Sequence, residues 1–164
     1  MERIPITPAG YGAMKEKVRR LKETERPEVI RTIEEARAHG DISENAEFEA
    51  AKERQAFLAA TIRGLEHKIA CADVIDPNTV KTDRVMFGCT VVLENLTTEG
   101  AVQYQLVGPD ESDVSQGRIS VSSPLGKAMI GKEVGDEIVV QAPNGQRRYE
   151  LVKILSSSEQ KPSA

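Results

Sequence analysis

The chain has no tryptophan, and three tyrosines and three phenylalanines are its whole supply of rings in 164 residues. That argues against a stacking platform for single-stranded nucleic acid, which needs an aromatic face under successive bases. Positive charge is not in excess either. There are 22 Lys and Arg against 26 Asp and Glu, for a net charge of -4, whereas coating DNA through counterion release needs a cationic surface. Any nucleic-acid contact must be local or come through a partner. Cys71 and Cys89 are the two cysteines, too few and too isolated for a disulfide framework or a Cys-based zinc site. A reducing cytoplasm is the simplest setting for them. No apolar run approaches the ~20 residues of a membrane span, and Met1-Glu2-Arg3-Ile4-Pro5 carries no signal-peptide core, so a soluble cytoplasmic protein with no membrane partner is expected. A Gly-rich phosphate loop, a nucleophile elbow and a zinc spacing are all missing, which speaks against an independent active site.

What is present is periodicity. Apolar residues fall at Met14, Val18, Leu21, Val29, Ile33 and Ala36, then at Phe48, Ala51, Leu58, Ile62, Leu65, Ile69 and Ala72, with Gln55 in the missing slot. The second set steps by three and four, the heptad of a helix packed along one partner. Between the runs lies only the polar turn His39-Gly40-Asp41-Ile42-Ser43-Glu44, so the helices must fold back antiparallel. Thr7-Pro8 reads as N-cap and first helical residue, and the first helix is expected to reach about Ala38. Pro27 lies inside it, removing a donor and bending it. Near there Leu21, Glu25, Val29 and Ile33 are spaced by four, as in a stutter. His39 and Gly40 suit its end. The second helix is expected to run to about Val74, giving arms of roughly 45 Å at ~1.5 Å per residue.

Asp76-Pro77-Asn78 breaks the pattern. The expected division is a coiled-coil hairpin over 1–76, an α+β domain over 77–156 and a disordered tail over 157–164. In the second domain a period of two marks Cys89 to Leu93, Val102 to Val107, Ile138 to Gln141 and Arg148 to Ile154 as strands of an antiparallel sheet. A short helix is expected near Ser123 to Gly131.

The turn is acidic. Between Arg37 and Lys52 the formal charges are Asp41, Glu44, Glu47 and Glu49. Asp41 and Glu44 fit a capping box, Asp as N-cap and Glu reaching back from three residues on. They also fit a pair of carboxylates close enough to touch one hard cation such as Mg2+. The two readings are compatible, because a cap can fix the geometry a metal uses. Two exposed carboxylates are a poor Mg2+ site alone, so such a pair makes chemical sense as half of a site completed in another molecule. Arg37 and Lys52 flank the turn, as solvated surface or as contacts to a phosphate backbone. His39 and His67 show no acid–base partner at a telling spacing, and Cys71 and Cys89 read as small buried residues.

Three stretches carry a family likeness: Arg26-Pro27-Glu28-Val29-Ile30; Ala36-Arg37-Ala38-His39-Gly40-Asp41-Ile42-Ser43-Glu44-Asn45-Ala46-Glu47-Phe48; and Ala50-Ala51-Lys52-Glu53. They resemble the bacterial Gre factors. Ile119-Ser120-Val121-Ser122-Ser123-Pro124-Leu125 with Ile130-Gly131-Lys132 resembles the family's C-terminal domain, and the likeness spans about Ile4 to Ile154. The resemblance implies an α+β protein: an N-terminal antiparallel two-helix coiled coil followed by a small antiparallel-sheet domain of FK506-binding-protein type. It implies a monomer that binds bacterial RNA polymerase, its coiled coil entering the secondary channel where backtracking extrudes the 3′ end of the RNA. Asp41 and Glu44 fall on the family's two tip acids, which help the polymerase hold its second Mg2+ and position water for cleavage. The factor then needs no cofactor of its own, sharing that Mg2+ with the polymerase, and the hydrolysis it stimulates is the polymerase's reaction. Arg37 and Lys52 resemble the small basic patch near the RNA, here sparse, as in the family's less basic branch with its short cleavage products. Ser122, Ser123 and Pro124 resemble the loop that docks on the channel rim. Gly126-Lys127 departs from the expected Ala-Arg, and no aromatic lining for a prolyl isomerase pocket is present. The alternatives are a channel-plugging inhibitor on the same architecture, for which a rearranged acidic tip is expected, and a plain coiled-coil adaptor with a capped turn.

Overall fold

The computed structural model describes residues 2–39, 42–76 and 83–155, with residues 39 and 42–45 as backbone alone. The chain forms two compact units. One is Tyr11–Cys71; the other joins Glu2–Gly10 to the chain from Ala72 onward. Residues 2–10 thus belong with the sheet, which the sequence reading did not anticipate. The tail over 157–164 lies outside the described residues.

In the helical unit, α1 (Pro8–Arg20) starts as its sequence requires: Gly10 N–H donates to Thr7 Oγ1 at 3.2 Å, with Pro8 in the first turn. The helix does not run unbroken to the polar turn. Leu21–Glu25 is a π turn, in which Arg26 N–H donates to the carbonyl of Leu21, and α2 (Arg26–His39) follows. Pro27 gives the cause, since its ring crowds the carbonyl four residues back and it brings no N–H. A turn widened by one residue relieves that crowding. The same widening returns a spacing of four to one face, so Leu21 and Val29 are both buried and Glu25 half-buried between them. The expected stutter takes the form of this π turn.

Helix α3 (Ile42–Cys71) supplies the other side of the seam. Val18, Leu21, Val29, Leu58 and Ile62 form the core, with Ile33, Leu65 and Ile69 packed on it. Lys22 ion-pairs with Glu66, while Val29 and Ile30 face the stretch from Lys52 to Ala59. Advancing along one strand of the hairpin therefore means retreating along the other, as antiparallel helices must. Of the thirty residues of α3, none forms part of a span apolar enough to cross a membrane, nor does any other described helix.

The sheet unit holds five strands in the order β5-β4-β3-β7-β6. These are β3 (Thr90–Asn95), β4 (Ala101–Val107), β5 (Arg118–Ser120), β6 (Glu137–Ala142) and β7 (Gly145–Leu155). The four long strands pair antiparallel, but β5 lies parallel to β4, so the sheet is mixed rather than wholly antiparallel. The sequence reading missed β5 because three residues are too short for an alternation to show. Alternation in the long strands delivers Val91, Leu93, Leu106, Ile138, Tyr149 and Leu151 to one core, which Met129 of α4 (Pro124–Met129) joins. A second, two-stranded sheet pairs β1 (Ile4–Ile6) with β2 (Ala72–Val74) in parallel, Ile4 opposite Ala72 and Ile6 opposite Val74. The second helix was expected to reach Val74; it ends at Cys71, and its last three expected residues are this strand.

Candidate functional site

Helix α2 ends at His39 and α3 begins at Ile42, so two residues join the arms. Counting from Ile42, Glu44 is the third helical residue, the place from which a capping box reaches back. Asp41 and the Glu44 side chain lie outside the described residues, as does the imidazole of His39. Arg37 is exposed in the last turn of α2. Lys52 is exposed too, but it follows Glu44 by eight residues, about 12 Å along the helix axis. Its Nζ lies 5.2 Å from the centroid of the Phe48 ring, a cation–π contact one turn apart on α3. Arg37 is therefore the basic residue nearer the turn, and Lys52 is held down the shaft. Beside Lys52 runs a groove of about 440 Å³ lined by Arg26, Val29, Ile30, Gln55, Ala56 and Leu58 among others. Gln55 stands where the heptad wants a large apolar residue, and Ala56 cannot fill the gap. Among the described residues no group of three or more His, Cys, Asp or Glu is placed to hold a metal.

The second candidate region is the turn from β5 into α4. Ser123 is the N-cap of α4: its Oγ accepts from Gly126 N–H at 3.0 Å and donates to the Ser120 carbonyl at 2.6 Å. Ser120 Oγ and Ser122 Oγ lie 2.7 Å apart, and Ser122 N–H donates to Ser120 Oγ at 3.1 Å. Ser122 and Pro124 are exposed, while Ser123 is half-buried. Of the three residues expected to dock, two thus offer surface and Ser123 spends its hydroxyl holding the loop. Ser120, which sequence reasoning passed over, is the hub of the turn. Gly126 is buried, and a Cβ there would strike the Ser120 carbonyl and the Val121 Cα.

Residues 4–74 match the model of the transcription elongation factor N-terminal domain, and residues 80–156 match that of the GreA/GreB C-terminal domain. A transcription elongation factor GreA of Neisseria meningitidis serogroup A is 50% identical over 155 residues, covering 94% of this chain and 98% of the relative. The chain belongs to the GreA/GreB family of transcription elongation factors. A GreA of Hyphomonas neptunium is likewise 50% identical, with 94% and 99% covered. A solved structure, GreA factor homolog 1 of Thermus thermophilus, is 28% identical over 94% of this chain and 100% of its own, with a TM-score of 0.44.

The chain is a transcription elongation factor of the GreA type. His67 Nε2 and Cys71 Sγ are 3.6 Å apart on neighbouring turns of α3, a pairing that the sequence spacing had not brought out. Cys71 is buried there. Cys89 is buried as well, and burial pushes its thiol above the ordinary range, the Met86 backbone opposing weakly.

Proposed function

We propose that this elongation factor docks on bacterial RNA polymerase through the exposed Ser122 and Pro124, with its helical hairpin in the secondary channel. There it presents Asp41 and Glu44 to the 3′ end of backtracked RNA. The observation that carries this reading is the two-residue connection between α2 and α3, with Asp41 inside it, Glu44 three positions on in the first turn of α3, and no compensating Lys or Arg from 38 to 51. The donor set fits Mg2+ in kind, being hard carboxylate oxygen, and falls short in number. Asp41 and Glu44 would therefore hold the ion jointly with polymerase groups. Bound there, it supplies Lewis-acid polarisation and a more acidic water. The chain's own contribution is placement: the helix start keeps Glu44 in the first turn, and Arg37 offers positive charge to a phosphate nearby. The factor acts in trans as a monomer, and the RNA bond is broken by the polymerase. An intact Asp-x-x-Glu pair disfavours a channel-plugging inhibitor.

Stalled, backtracked complexes incubated with the factor and Mg2+ test the reading. RNA shortening from the 3′ end is expected, lost in Asp41→Ala and Glu44→Ala while polymerase binding persists. If either variant cleaves like the parent, the acids are a cap and nothing more. Ser122→Arg with Pro124→Ala is expected to weaken binding in a competition titration without unfolding the sheet; unchanged affinity rejects that docking surface.

A further inference from the structure

The N-terminal residues carry an arrangement that the reading above leaves unused. Thr7 is polar yet only 6% exposed. Its Oγ1 accepts from Gly10 N–H, capping α1, and donates to Glu111 Oε2 at 2.5 Å. Its backbone N–H donates to Glu111 Oε1 at 2.8 Å, and the same oxygen accepts from Gly108 N–H at 2.9 Å. One carboxylate, standing on the short turn Pro109–Glu111, thus collects three hydrogen bonds, two of them from Thr7. Hydrogen bonds to an ionised carboxylate are the stronger kind.

Two glycines leave space here, one for the carboxylate and one for the chain that leads to Thr7. A Cβ on Gly10 would take the place of Glu111 Oε2, and one on Gly108 would strike the Pro5 carbonyl. Gly108 sits at φ −74, an ordinary backbone angle, so glycine here answers a need for space. Every member of the cluster lies in the sheet unit, yet α1 passes from Gly10 straight into the helical unit. Whatever holds Thr7 holds the root of that helix.

We propose that Glu111 is a positioning residue for cleavage stimulation: it clamps the root of α1 to the unit that docks, so that docking is passed on to the acids at the hairpin turn. This rests on the function proposed above. Loss of the clamp then leaves affinity in place and degrades delivery, because a misplacement of about 1 Å at a reacting centre can cost as much as 100-fold in rate.

The experiment compares parent, Glu111→Ala, Gly10→Ala and Gly12→Ala by hydrogen exchange and by cleavage of backtracked complexes across factor concentrations. In Glu111→Ala, amides of residues 6–10 are expected to exchange about tenfold faster or more, as in a segment freed to open locally. Its saturating cleavage rate falls about tenfold, and its half-saturating concentration stays within about twofold, since the docking residues are untouched. Gly10→Ala expels the carboxylate while favouring helix, so faster exchange there marks the clamp, and slower exchange would mean that helix propensity alone governs the segment. Gly12 has open space around it, and Gly12→Ala behaves as the parent in cleavage. An unchanged saturating rate in Glu111→Ala overturns the proposal, as does a loss seen wholly in half-saturation, which would make Glu111 a docking residue. Unchanged exchange overturns it also. A parent that fails to stimulate cleavage brings down the functional reading instead, a result distinct from an active parent with a fully active Glu111→Ala.

Discussion

The two units are held together in different ways. The helical unit has one seam, and its buried residues Val18, Leu21, Val29, Leu58 and Ile62 all keep some exposure. In the sheet unit Val91, Leu93, Leu106, Met129, Ile138 and Leu151 are fully buried. A single seam leaves most of a helix in water and asks little of its surface, so polar and charged residues there are free to serve a partner. A closed core fixes its neighbours closely, and the sheet unit accordingly carries Gly108 and Gly126, at each of which a Cβ would run into a backbone carbonyl oxygen.

The sharpest way to break that comparison is truncation on each side. Leu151→Ala is expected to cost about 4 kcal/mol and Leu58→Ala about 2 kcal/mol, the upper part and the lower end of the range for buried leucine, because water and the adjoining groove can relax the second site and not the first. Urea unfolding resolved by hydrogen exchange in each unit checks this. Equal losses would mean that the seam is packed as tightly as the sheet.

Next in size is Gly126→Ala. Alanine favours helix, yet here its Cβ meets backbone at Ser120 and Val121, so overpacking of about 1–3 kcal/mol should prevail. The same equilibrium measurement decides the sign. Gly12→Ala is the counterpart in the helical unit, where space is open, and it should stabilise by up to about 1 kcal/mol. If Gly126→Ala stabilises as well, the tight approach of α4 to β5 is not a constraint on the sequence.

Legibility followed the same division. The heptad of α3, the Thr7-Pro8 start and the effect of Pro27 were readable because each depends on neighbours within a turn or two. The long strands were readable from alternation. What escaped was either too short to show a period, as with β1, β2 and β5, or tied to a distant residue. The Thr7 cap could be read, but its Glu111 partner lies 104 residues away. Ser123 as an N-cap was within reach of the sequence, since Ser-Pro is a strong helix start. At the acidic turn the sequence still says more than the described residues do, because Asp41 and the Glu44 side chain fall outside them.

The most direct test of the account is the Mg2+ dependence of cleavage in backtracked complexes saturated with factor. If Glu44 supplies an oxygen to the shared ion, Glu44→Gln should raise the half-saturating Mg2+ concentration about tenfold or more, with excess Mg2+ restoring part of the rate. A Glu44→Gln variant that is slower at every Mg2+ concentration, with its half-saturation unmoved, would contradict the claim that the hairpin turn completes a metal site in the polymerase.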